Sequence, residues 1–282
     1  MSIRIASDGT ALHYEVTGSG PDVLFIHEFA GTLKSWEPQI RRLSRQYRCI
    51  AFNARGYPPS DVPDDPSKYS QDIAIDDAFA VLDAAGSEAA HVVGHSMGGY
   101  TALHLGIRDP ARVRSLTVAG CGWGSAPNSR DESRALIKDI VAMFEKDGIE
   151  EAARRYADFP MRHRFRDKDP RGWAEFAALL ATHSAKGSAH TMAQVQMERP
   201  TLFEMQGDLA KLTPPLLIVV GDEDEACLDG CLMMKQKVPN AGLYVVPFAS
   251  HTINSEDPAL FNQALLDFLS QVECGAFPNG FD

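Results

Sequence analysis

The stretch "HVVGHSMGGYTALHLG", His91 to Gly106, constrains the fold more than any other. A short apolar run typical of a buried strand passes through Gly94-His95-Ser96-Met97-Gly98 directly into a helical pattern. No residues are left for a loop, so the chain must reverse within the G-x-S-x-G segment. Side chains at positions 94 and 98 would collide in so tight a turn, which is why glycine stands there. Such a turn holds Ser96 in a strained conformation, its hydroxyl above the carboxyl end of a sheet. The following helix N-terminus offers the Met97 amide and a positive dipole end to a developing oxyanion.

The same alternation runs through most of the chain. "ALHYEV", "VLFIH", "CIAFN", "VRSLTVAG", "PLLIVVG" and "GLYVVP" read as strands. "SWEPQIRRLSRQ", "SQDIAIDDAFAVLDAAG" and "PALFNQALLDFLSQV" carry helical spacing, with Gly86 as a C-cap. The start, "MSIRIASDGTALHYEV", reads as a strand pair turning at Asp8-Gly9. Near-continuous apolar strands separated by helices predict an α/β fold: a mostly parallel, twisted sheet covered by helices on both faces. From about Cys121 to Leu212 the alternation stops and the pattern is helical throughout. This predicts a helical cap, residues 121–212, inserted into a core formed by 1–120 and 213–282. The last residues, "CGAFPNGFD", read as a tail without an element of its own.

A serine hydroxyl needs a base to take its proton and a carboxylate to orient that base. In the order Ser, acid, His, His251 of "VVPFASHTINSEDPALF" follows the last strand on a loop before the final helix. The acid belongs to "LLIVVGDEDEACL", where four carboxylates follow a strand. Asp224, three residues past Gly221, has room to turn back toward His251; Asp222 is the alternative. Cys121 and Trp123, just past a strand's carboxyl end, are expected to line the pocket, with His27, Glu28 and His95 as further pocket residues. Phe159, Phe165, Trp173 and Phe176 read as cap core.

Taken together, "GHSMGG", "FNARGYPPSD", "GDEDEAC" and "ASH" resemble the α/β-hydrolase superfamily, in its serine-nucleophile capped branch of esterases, lactonases, C–C hydrolases and haloperoxidase-like enzymes. The resemblance covers residues 1–120 and 213–272. It implies a triad of Ser96, Asp224 and His251, with no metal and no organic cofactor. The family's first-strand signature H-G-x-x-G reads here as His27-Glu28-Phe29-Ala30-Gly31, so Phe29 would supply the second oxyanion-hole amide beside Met97. The expected function is cleavage of a small carboxylic ester or lactone through an acyl-enzyme. The alternatives are a C–C bond hydrolase of vinylogous diketones and a catalytically weak ligand receptor on the same fold.

Glu28, standing where the family keeps glycine, has three readings. It forms a buried ion pair, for example with Arg55; it sits at the pocket mouth; or it turns to solvent. A buried carboxylate must be paired or protonated. The basic run Arg162, Arg164, Arg166, Lys168 and Arg171 is either a grip on a substrate carboxylate or a solvated or salt-bridged lid face.

Composition excludes other classes. With 282 residues and 44% apolar content the chain can bury a large core. A net charge of -11 argues against nucleic acid or an anionic membrane as partner. A small-molecule substrate is the expected partner, and a homodimer stays open. Five scattered cysteines without metal-ligand spacing imply free thiols in a reducing compartment. No apolar run reaches the roughly 18 residues of a membrane span, and no basic n-region precedes an apolar one. A cytoplasmic location is therefore expected.

Overall fold

The computed structural model describes residues 2–126 and 130–278. Among these are eight strands: β1 (Ser2–Ile5), β2 (Ala11–Thr17), β3 (Asp22–Ile26), β4 (Arg48–Phe52), β5 (Ala90–His95), β6 (Val113–Ala119), β7 (Leu216–Gly221) and β8 (Ala241–Val246). They form one sheet in the order β1-β2-β4-β3-β5-β6-β7-β8. The β1/β2 and β2/β4 pairs are antiparallel, and every pair from β4 to β8 is parallel. The hairpin turns where Asp8-Gly9 predicts, with Gly9 at φ 89°.

Helices α1 (Glu37–Leu43), α2 (Gln71–Ala84) and α3 (Met97–Arg108) precede the inserted block. The block holds α4 (Arg130–Ala157), α5 (His163–Lys168), α6 (Pro170–Leu180), α7 (Ala185–His190) and α8 (Gln206–Leu209). Helices α9 (Glu225–Lys237), α10 (Ile253–Glu256) and α11 (Pro258–Glu273) follow it.

Strand periodicity decides which side chain meets which helix layer. In β3, Leu24 and Ile26 join the cluster built with α2, α3 and α9, while Val23 and Phe25 face α1 and α11. The helices answer with their own period: Phe261, Leu265, Phe268 and Leu269 place one stripe of α11 on the sheet. Each such fully buried side chain contributes about 1.5–3 kcal/mol of transfer free energy.

Between β6 and β7 the helical cap builds its own apolar cluster from Ile137, Ile140, Phe144, Phe165, Phe176 and Leu180, continuous with Phe29, Tyr57 and Met97 of the core. Gly148, at φ 75° and ψ 170°, breaks α4 where the sequence separates two helical patterns. In packing terms the cap ends before residue 212. Leu202, Met205, Leu209 and Leu212 belong to the core cluster of the sheet, because α8 lies against α9 and α3. Within the expected C-terminal tail, residues 279–282 lie outside the described residues. Phe277 is not loose: its ring meets Phe268 edge-on at 4.9 Å. No helix among the described residues is long and apolar enough to cross a membrane.

Candidate active site

Sheet register brings the candidate residues to one edge. Ile26 of β3 pairs with Gly94 of β5, so His27 to Phe29 emerge beside the elbow. Ala119 of β6 pairs with His95 and with Val219 of β7, and Gly221 of β7 pairs with Val246 of β8. The segments after β3, β5, β6, β7 and β8 therefore leave the sheet at its carboxyl end, side by side.

The elbow is as tight as its glycines imply. A Cβ at Gly94 would run into the Gly98 carbonyl, and one at Gly98 into the Ile26 carbonyl. Ser96 itself has φ 51° and ψ -110°, a conformation L-residues rarely adopt. Its hydroxyl opens into a narrow pocket of about 450 Å³ counted to the mouth, shared with Phe29, Trp123, Tyr156, Arg199 and His251.

His251 and Asp224 meet below that pocket. The imidazole Nδ1 lies 2.9 Å from Asp224 Oδ2, with both side chains at most 2% exposed. A carboxylate partner makes Nδ1–H the donor and leaves Nε2 as an acceptor. Burial opposes ionisation of Asp224, but the imidazole outweighs it and holds the carboxyl below its usual range. The neighbouring carboxylates are committed elsewhere: Asp222 accepts from the Ala249 amide at 3.3 Å, and Glu223 pairs with Arg164. Geometry thus singles out Asp224. Among the described residues Ser96 Oγ and His251 line the same pocket without a hydrogen bond between them.

The Phe29 and Met97 amides are both free of acceptors among the described residues. Glu28 does not disturb that loop's backbone. Ser96 and Phe248 are the non-glycine residues with positive φ among those described, so position 28 has no need of glycine.

Four expected pocket residues lie behind the pocket rather than in its wall. His27 donates from Nδ1 to its neighbour's carbonyl at 2.6 Å and accepts the Ala54 amide at Nε2 (3.0 Å), which pins the loops after β3 and β4 together. His95 donates from Nε2 to the His251 carbonyl at 2.7 Å, a brace under the histidine loop. Burial pushes both imidazoles down to about 4, so both are neutral near pH 7. Cys121 is fully buried against Gly99, and burial raises its thiol to about 12. Trp123 does line the pocket, and so does Phe159, which the sequence places in the cap core.

Glu28 is a buried ion pair, but its partner is Arg162 and not Arg55. Arg162 reaches Glu28 at 2.7 and 3.3 Å, while Arg55 is claimed by Asp77 at 2.7 Å and by Asp8 at 3.0 Å. The rest of the basic run is equally engaged. Arg164 holds Glu223, Arg166 holds Asp158, Lys168 holds Asp257 and Arg171 holds Glu175. This is a solvated, salt-bridged face beyond Arg162, with Arg171 and Glu175 its most exposed pair.

Two triplets bring metal-ligand atoms within 4.8 Å of one another: Asp224, Cys227 and His251, and Glu28, His95 and His251. Their donors already have partners. Asp224 serves His251, Glu28 serves Arg162, and burial keeps the Cys227 thiol protonated, well above its usual range.

A mostly parallel sheet, a nucleophile-elbow turn and a helical cap over its edge define a hydrolase of the α/β type. The chain belongs to the alpha/beta hydrolase fold family, whose model matches residues 21–258. A relative from Azorhizobium caulinodans, provisionally named carbamate hydrolase RutD, is 28% identical over 269 residues, covering 93% of this chain and 96% of its own. The 3-oxoadipate enol-lactonase 1 of Acinetobacter baylyi is 28% identical, covering 96% and 98%. The crystal structure of a hydrolase from Pseudomonas aeruginosa PA01 superposes with a TM-score of 0.83 at 26% identity, over 95% of this chain and 97% of that one.

Proposed function

We propose that this enzyme hydrolyses small carboxylic esters or lactones through an acyl-enzyme on Ser96. The observation that carries the reading is the buried Asp224–His251 pair opening onto the pocket that holds the strained Ser96 hydroxyl. Ser96 Oγ bonds to the carbonyl carbon while its proton passes to His251 Nε2. The negative charge that develops on the carbonyl oxygen falls to the Phe29 and Met97 amides. Collapse breaks the carbon–oxygen bond of the ester, and His251 returns the proton to the departing alkoxide. Water, deprotonated by the same nitrogen, then releases the acid and regenerates Ser96.

Apolar walls from Phe29, Leu136, Ile140, Tyr156, Phe159 and Met192 suit an acyl group with hydrocarbon bulk. Both named relatives are hydrolases, which supports the reaction class. The test is hydrolysis of p-nitrophenyl acetate and butyrate by wild type and Ser96→Ala, with a fluorophosphonate to label the serine. A serine-dependent burst and a single labelled Ser96 peptide are expected. Equal background rates in the two proteins would overturn the reading.

A further inference from the structure

Arg199 is the one pocket-lining cation, and nothing neutralises it among the described residues. It stands 5% exposed in the wall shared with Ser96 and His251, yet no carboxylate lies in salt-bridge range of it. No acceptor bonds its guanidinium among the described residues, and Nη1 is buried and unsatisfied. The acids closest in sequence pair with other arginines: Glu204 with Arg130 at 3.7 Å, and Glu198 with Arg134 at 4.0 Å. Its counterpart among the described residues is the Tyr100 ring, whose centroid lies 3.6 Å from the guanidinium carbon. A ring face satisfies none of the five N–H donors, and it returns far less than desolvation of a full charge takes away. Burial accordingly pulls the Arg199 pKa below its ordinary value, the reverse of the shift at Arg162, which Glu28 pairs.

Next to it, Gln196 lines the same wall with its Oε1 buried and unpartnered. On its far side Arg199 borders a second small pocket with Arg130 and Arg134, whose lining among the described residues includes no carboxylate. A buried guanidinium without an acceptor among the described residues, in the wall of the pocket that holds Ser96, is suited to a planar oxyanion, which it can bind bidentately.

We propose that Arg199 is the anion subsite of this pocket: the substrate carries a carboxylate held by Arg199, on the part of the molecule that reaches past the carbonyl attacked by Ser96. This deepens the hydrolase reading and rests on it for the reaction. The carboxylate supplies the missing counter-charge, so substrate binding completes an ion pair that the free enzyme leaves half built.

The test compares esters that differ only in that group. Mono-p-nitrophenyl glutarate and adipate are assayed against p-nitrophenyl 5-methylhexanoate and 6-methylheptanoate, in which isopropyl replaces carboxylate, with spontaneous hydrolysis subtracted. Wild type is expected to favour at least one half-ester tenfold or more in kcat/KM, mainly through KM. Arg199→Gln is expected to bring that ratio to one or below, and Arg199→Lys to leave an intermediate ratio because it keeps the charge without the fork. A wild type that favours both neutral esters, or a ratio unchanged in both variants, would overturn the subsite. Binding is read separately from turnover by calorimetry of glutarate and adipate on Ser96→Ala and on Ser96→Ala/Arg199→Lys. Anion binding that weakens with the lysine, alongside a wild type that cleaves no ester, retains the subsite and rejects the esterase reading. Ester cleavage with no diacid binding and no ratio does the opposite.

Discussion

Arg162 lies 2.7 Å from Glu28, across 134 residues of chain, and neither side chain is more than 3% exposed. The same guanidinium donates to Thr252 Oγ1 at 2.6 Å and stacks 4.4 Å from the Phe176 ring centroid. Glu28 adjoins Phe29, Thr252 adjoins His251, and the Met161 carbonyl accepts the His251 amide at 3.4 Å. A single cap arginine thus ties together the loop bearing the Phe29 amide, the loop bearing His251, and the cap itself.

Removing either half of a buried pair strands the other charge. Glu28→Gln and Arg162→Met are each expected to lower unfolding free energy by about 3–5 kcal/mol. The double variant is expected to lose less than the sum, because no orphan charge remains. Urea unfolding of the four proteins measures this. A Glu28→Gln protein of full stability whose kcat has collapsed would show instead that the carboxylate acts in the chemistry.

Acid exposes the same pair. Burial alone would raise the Glu28 pKa, but the Arg162 charge overrides it and holds the carboxyl at about 2, below its ordinary 4.5. A depressed carboxylate stabilises the fold fully above its unfolded pKa and loses that contribution as pH falls toward the folded value. His27 and His95, each pushed down by burial from 6.5 to about 4, begin the loss earlier, since only the unfolded chain takes up their protons between those values. Stability is expected to decline below pH 6.5 in wild type and Glu28→Gln alike. Below pH 4.5 the wild type is expected to decline more steeply. Parallel curves from pH 4.5 to 3 would contradict the pairing.

What the sequence discloses depends on how local the physics is. The elbow is legible because Gly94, Ser96 and Gly98 impose their geometry within five residues, and the strands because both helix layers demand apolar side chains, so that Val23 to Ile26 reads as one unbroken apolar run. Asp224 is legible from its place after a strand. The partner of Glu28 is not. Arg55 and Arg162 are equally eligible as residue types, and only the fold shows that Asp77 and Asp8 already hold Arg55. Arg199 carries no local sign at all: it sits apart from the basic run that draws the eye, and its distinction is the absence of a partner, a property of three-dimensional surroundings.

Strain at Ser96 predicts a trade between stability and activity. A residue held at φ 51° and ψ -110° costs on the order of 1–3 kcal/mol. Glycine relieves that cost while adding about 0.4–1 kcal/mol of unfolded-state entropy to be lost. Ser96→Gly is therefore expected to be more stable than Ser96→Ala by roughly 1 kcal/mol, with both inactive toward p-nitrophenyl butyrate. Thermal unfolding of the two variants decides it. An alanine variant more stable than the glycine one by about 0.4–1 kcal/mol would mean that the elbow carries no strain.

In the proposed mechanism Asp224 acts through the tautomer of His251, which separates its effect from that of a simple charge. Asp224→Asn keeps the size of the side chain but offers an N–H, or an oxygen that no longer bears charge, to Nδ1. The ring then tends to turn its protonated nitrogen toward Ser96, where an acceptor is required. A loss of about 10⁴-fold in kcat is expected with little change in KM. Residues that act as a unit are not additive, so Ser96→Ala/Asp224→Asn is expected to be no slower than Ser96→Ala alone. The double comparison is informative because Asp224 is buried: its replacement also costs stability, and activity lost through unfolding would fall further in the double variant. Equal residual rates in Ser96→Ala and the double variant, both above 90% folded by circular dichroism, identify one catalytic unit. Multiplying losses would mean that Asp224 supports the fold of the histidine loop and has no part in the proton transfer.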